Sequence, residues 1–211
     1  MRPTKHAVTL LGLLLLWLSA ATHSGAYNKV LNIGDTMPDF HQLPSTEDTR
    51  ISSSDLTESV VVLVSLANHC PWVKGMDAEL VALVDSFKDA DVRILGFGVN
   101  HREDDRLPAM KEHARHNGYN FSYVFDESQQ LGRQLGATRT PEYFVFNRHR
   151  KLVYMGLLTN SPAMKRGGKI RHINGEPSEF YVSDAIKNTL QGEPVDPQET
   201  RAHGCTVKYE S

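Results

Sequence analysis

Apolar positions along this chain fall into runs and stripes of different period, and each period predicts a different element. Val60 to Leu66 (Val-Val-Val-Leu-Val-Ser-Leu) is β-branched and aliphatic without alternation, the pattern of a strand covered on both faces of a parallel sheet. Val73, Met76, Leu80, Leu83, Val84 and Phe87 then recur at spacings of three and four, which is one face of an amphipathic helix. Val92 to Val99 predicts a second strand. Arg106 to Asn117 predicts a helix closed by Gly118 in the position that favours a left-handed residue. Phe121 to Phe125 reads as a short strand and Ser128 to Leu135, closed by Gly136, as a short helix. Tyr143 to Phe146 and Leu152 to Met155 flank the polar turn Asn147 to Lys151 and read as an antiparallel hairpin.

The pattern weakens outside this block. Lys29 to Asp55 is polar and punctuated by Gly34-Asp35 and Pro38-Asp39-Phe40, and is expected to be an irregular extension packed on the core. Leu157 to Pro177 is polar and glycine-containing, with the basic cluster Lys165-Arg166-Gly167-Gly168-Lys169, and reads as a long loop with a solvated surface. Phe180 to Leu190 returns to helical period through Val182, Ala185, Ile186 and Leu190. From Gln191 onward Pro194 and Pro197 mark a tail that ends near Gly204-Cys205. No internal repeat interrupts this order.

The first residues follow a different rule. Arg2 and Lys5 precede the apolar stretch Ala7 to Leu18, and small residues then suit cleavage after Ala21 or Ala26, which together read as an export signal. The stretch is too short to span a bilayer comfortably, and no cysteine follows it to carry a lipid. The division expected is a signal peptide over 1–26, a single domain over 27–191 and a tail over 192–211, in an exported, periplasmic or secreted protein. The formal charge is −2, and losing Arg2 and Lys5 with the leader makes it −4. That mild acidity argues against nucleic acid as a partner. Asn120-Phe121-Ser122 fits a glycosylation acceptor, a match that chance also produces.

Only two cysteines occur. Export places them in an oxidising compartment, but two are too few for a disulfide scaffold, so they are read as chemistry. Cys70 falls where the apolar strand turns into the helix, ahead of Pro71. Unpaired N–H groups and the positive end of the helix dipole favour an anion there, and a thiolate is the nucleophilic form of cysteine. His69 and Lys74 are candidates for tuning that thiol. The 14 residue steps from Gln191 to Cys205 can reach roughly 45 Å when extended, enough to cross a small domain.

A strand-to-helix cysteine followed by proline, with Thr140-Pro141 just before an apolar hairpin, resembles the thioredoxin-like superfamily over about Asn32 to Leu190. Gly34-Asp35-Thr36-Met37-Pro38-Asp39-Phe40 is similar to the entry segment of its redoxin branch, which includes alkyl hydroperoxide reductases and thiol-specific antioxidants. Asn68-His69-Cys70-Pro71 and the closing Gly204-Cys205-Thr206-Val207-Lys208 look like a subgroup in which one active-site cysteine is joined by another near the C-terminus.

The resemblance implies a three-layer α/β fold of the thioredoxin-like type, with an N-terminal extension and a C-terminal helix plus tail. It implies that Pro141 is cis and lies against the reactive sulfur, and that Thr140, Pro141 and Pro71 position a substrate chain. It further implies thiol-disulfide oxidoreduction with Cys70 as nucleophile and Cys205 as resolving cysteine, acting on protein or small-molecule disulfides and thiols with an external thiol reductant and no cofactor. Two departures matter. The position three residues after Cys70, where a dithiol site has its second cysteine, is Val73. Peroxiredoxins have Thr three residues before the reactive cysteine and Pro seven before, and here these positions are Ala67 and Leu63. A thiol peroxidase remains an alternative, as does a copper or zinc chaperone with Cys70, His69, Cys205 and His203 converging on the ion. A permanent disulfide and a free Cys205 are further alternatives for the tail.

Overall fold

A computed structural model describes residues 25–211, so the export signal of 1–26 lies almost wholly outside the described residues. The chain forms β1 (Leu43–Pro44), β2 (Arg50–Ile51), β3 (Val60–Leu66), α1 (Pro71–Ser86), β4 (Val92–Gly98), α2 (Leu107–Asn117), β5 (Ser122–Phe125) and α3 (Gln130–Leu135). It continues through β6 (Arg139–Thr140), β7 (Glu142–Phe146), β8 (Leu152–Gly156), β9 (Ala163–Arg166), β10 (Lys169–His172), α4 (Tyr181–Gln191) and β11 (Cys205–Thr206).

The central sheet has the order β5-β4-β3-β7-β8, with β3, β4 and β5 parallel and β7 and β8 antiparallel to their neighbours. The unbroken apolar run of β3 is explained by its central place. Val60, Val62, Val64 and Leu66 face one core, while Val61 and Leu63 face the other. Each such side chain removed from water contributes about 1.5–3 kcal/mol, so burial of both faces outweighs the weak intrinsic preference of any one residue. The first core lies under α1, with Met110 of α2 and Val182, Ala185 and Ile186 of α4. The second lies under Leu131 and Leu135 of α3 together with Leu31, Met37, Phe40, Ile51 and Leu56 of the N-terminal segment. Helices, sheet, and α3 with the extension form the three expected layers.

One segment departs from the sequence reading. Leu157 to Pro177 is not a plain loop: β9 and β10 pair in it as an antiparallel hairpin, turned by Gly167 and Gly168 at φ of 58° and 74°. A two-residue turn with both residues left-handed matches the twist of a hairpin, and Gly-Gly adopts it without steric cost. The hairpin packs on α1, where Gly75 leaves no room for a side chain beneath the Ala163 carbonyl and Met164 Cα. The tail after α4 returns along the sheet. It binds the edge of the sheet, with Met155 N–H donating to Gln198 O at 3.0 Å and Thr200 N–H to Met155 O at 3.0 Å, before continuing to β11. No described helix is long and apolar enough to cross a membrane.

Candidate active site

Cys70 caps the N-terminus of α1 at the end of β3, with extended backbone (φ −73°, ψ 121°) and Pro71 in the first turn. Proline suits that place because the first N–H groups of a helix have no intrahelical partner. The Cys70 side chain is wholly buried, and its thiol donates to Thr140 O at 3.1 Å. The Thr140–Pro141 bond is cis. Thr140 ends β6, and β11 pairs with it antiparallel, Cys205 opposite Thr140 and Thr206 opposite Arg139. Val207 N–H donates to Thr138 O at 3.0 Å and Arg139 Nη1 to Thr206 Oγ1 at 2.6 Å. Gly204 has a reason to be glycine, since a Cβ there would overlap the Thr140 carbonyl.

The tail thus carries Cys205 across the molecule to the strand that touches Cys70. Both thiols are reduced. The Cys205 thiol is pushed up to about 12, first by partial burial, then by its hydrogen bond to Cys70 and by the negative charge of that neighbour, with Asp105 adding to the effect.

The remaining candidates divide. His69 does not point its ring at the thiol: Nδ1 lies 2.5 Å from Asp105 Oδ2, and the His69 N–H donates to Asp105 Oδ1 at 3.1 Å. Lys74 is exposed on the second turn of α1, in a shallow groove with Asn68, Asp104 and α2 residues such as Glu112. The ring of His203 packs edge-on against Trp72, with centroids 4.3 Å apart. Among the described residues, the His, Cys, Asp or Glu side chains close enough to share an ion are His69, Asp104 and Asp105, a set without sulfur. Asp104 is already paired with Arg102 at 2.8 Å.

Two residues of the site were not anticipated. Asp105 is 1% exposed, in a short turn between β4 and α2, and fixes the backbone of the residue before Cys70. In sequence it is one acid among Glu103-Asp104-Asp105, with nothing to single it out. Glu142 is buried next to the cis proline, and its Oε2 accepts from Thr138 N–H at 2.8 Å and Arg139 N–H at 3.1 Å. Burial raises its carboxyl above the ordinary range, and those two donors only partly offset the effect. A charged residue at the head of an apolar strand was the available signal.

This geometry accords with what the chain resembles. A family model described as Redoxin matches residues 32–169. An uncharacterised conserved protein from Geobacillus kaustophilus has a similar structure, with a TM-score of 0.76 and 25% identity over 87% of this chain and 95% of that one. A hypothetical protein from Sinorhizobium meliloti matches with a TM-score of 0.76 and 22% identity over 86% of this chain and 96% of its own. A protein from Chlorobium tepidum described as a putative thiol:disulfide interchange protein DsbE matches with a TM-score of 0.54 and 21% identity over 77% and 97%. Among curated proteins, none matches this sequence.

Proposed function

The chain belongs to the Redoxin family, and on that premise we propose that it is an extracytoplasmic thiol-disulfide oxidoreductase with Cys70 as nucleophile and Cys205 as resolving cysteine. The observation that carries this reading is the β11–β6 pairing, which holds the second of the chain's two cysteines opposite Thr140, the residue whose carbonyl accepts from the first.

The chemistry closes with the groups present. The Cys70 thiolate attacks one sulfur of a substrate disulfide, so a Cys70–substrate bond forms, the substrate S–S bond breaks, and the departing thiolate takes a proton. Cys205 then gives up its proton and attacks Cys70 Sγ, which releases the second substrate thiol and leaves a Cys70–Cys205 disulfide. An external dithiol returns two electrons and two protons. Backbone groups of Thr140 and the strand after Pro141 position the incoming chain, and the fixed His69–Asp105 pair holds the approach to Cys70. The charged and apolar segments of residues 1–26 support export as the setting.

A peroxidase reading receives less support. Ala67 offers no hydroxyl to a peroxide, and its carbonyl is engaged by Cys70 N–H at 3.0 Å. The chaperone reading needs His69 and His203 at the sulfurs, and their rings are held by Asp105 and Trp72.

The test is trapping. Cys205→Ser should accumulate a mixed disulfide on Cys70 when given a disulfide-linked peptide, visible as added mass, and should turn over at least about tenfold more slowly than the parent with the same reductant. Cys70→Ser should trap nothing. Equal turnover by Cys205→Ser and the parent would remove the resolving role. A Cys70–Cys205 bond that survives mild reductant, with its loss only lowering the melting temperature, would replace catalysis with a structural disulfide.

A further inference from the structure

The hairpin of β9 and β10 carries four cations, Lys165, Arg166, Lys169 and Arg171, all exposed. Among the described residues none of the four is in an ion pair. The sequence contains no acidic residue between Glu142 and Glu176. These charges do not help the hairpin. Arg166 lies directly opposite Lys169, and like charges across an antiparallel pair repel. The alternation of strand side chains puts Arg166, Lys169 and Arg171 on one face, while Ala163 on the other face is buried against the core. The whole chain is net negative, so this positive face is a local reversal of its field.

Position gives the reversal a use. His172 reaches Glu79 at 3.4 Å, Ala163 N–H donates to the Met76 sulfur at 3.1 Å, and Met164 lies over Gly75. Ala163 and Met164 both lie over Gly75, so the hairpin packs on the first half of α1. Cys70, which starts that helix, is about 7–8 Å from Gly75 along its axis.

We propose that this hairpin is a substrate-recognition arm and that the substrate is a polypeptide with acidic residues flanking its reactive cysteine. This rests on the thiol-disulfide reading and names its substrate class. Arg166, Lys169 and Arg171 attract and hold the acidic flank while the cysteine lies at Cys70 and Pro141.

The test uses the full chain and two synthetic disulfide-linked peptides that differ only in whether Glu and Asp or Ser surround the cysteine. The parent should favour the acidic peptide by about tenfold in kcat/KM at low ionic strength, with the preference falling at high salt. The combined variant Arg166→Gln, Lys169→Gln, Arg171→Gln should show an acidic-to-serine ratio of about one. Equal rates in the parent, or an unchanged ratio in the folded variant, would overturn the arm. Binding of the same peptides with Cys replaced by Ser, followed by fluorescence polarisation, separates the two readings. Tight, salt-sensitive binding of the acidic form without turnover of any disulfide would sink the redox reading and keep the arm. Sedimentation with vesicles of phosphatidylcholine and phosphatidylglycerol, without binding of the acidic peptide, would replace the proposal with a membrane contact.

Discussion

At the scale of single residues, the site buries a carboxyl that binds its proton more tightly than a free one, which fixes the sign of one pH effect. Glu142 has a raised folded-state pKa, so the folded protein binds its proton more tightly than the unfolded chain does. Its favourable contribution is therefore complete below the ordinary carboxyl value and is lost as pH rises through the raised one, opposite to the usual surface carboxylate. Glu142→Gln keeps an oxygen for the Thr138 and Arg139 N–H groups and removes the charge. Its melting temperature relative to the parent should increase from about pH 4 to pH 7. A difference independent of pH would mean that Glu142 is not held in this state. The two cysteines and the proline pair were legible because their identity alone restricts what they do. Asp105 and Glu142 were not, since acids acquire meaning only from the burial and donors that the fold supplies.

At the scale of elements, legibility followed the origin of the stabilising energy. β3 appears in the sequence and in the structure over the same residues, Val60 to Leu66, because both faces are covered by apolar neighbours and the pattern must be continuous. α2 ends at Gly118 with φ of 64°, as the glycine indicated. β9 and β10 mix four cations with Ala163, Met164, Ile170 and His172 in no clear period, so their only local sign was Gly167-Gly168 between short segments. The packing of this hairpin on α1 is testable at Gly75. Alanine gains about 1 kcal/mol of helix propensity over glycine. Here, however, the added carbon meets the Ala163 carbonyl and the Met164 backbone, which cannot rotate away, and overpacking costs about 1–3 kcal/mol. Gly75→Ala should therefore be neutral to destabilising by about 2 kcal/mol in denaturant unfolding, and Gly75→Val worse. Stabilisation by either would show that the hairpin does not rest on α1.

At the scale of the whole molecule, Cys70 is closed over. Cys70 has no exposed surface, and β11 occupies the backbone edge of Thr140 that an incoming polypeptide would need. On the proposed function, reactivity should scale with the population of a form in which the tail has lifted from β6. The last residues hold the tail down beyond β11. Tyr209 OH donates to Ala137 O at 2.8 Å, and the Arg133 guanidinium lies 4.7 Å from the centre of its ring. Together these contacts contribute about 1–2 kcal/mol. Tyr209→Ala should raise the open population and with it the rate at which iodoacetamide labels Cys70 in the reduced protein, by roughly five- to thirtyfold. The site of labelling is assigned by peptide mapping. Because the core under β3 and α1 is untouched, far-ultraviolet circular dichroism should be unchanged. Faster labelling confined to Cys70 and Cys205 would identify tail opening as the gate, whereas an unchanged rate would mean that reagent reaches the sulfur by a route that leaves β11 in place.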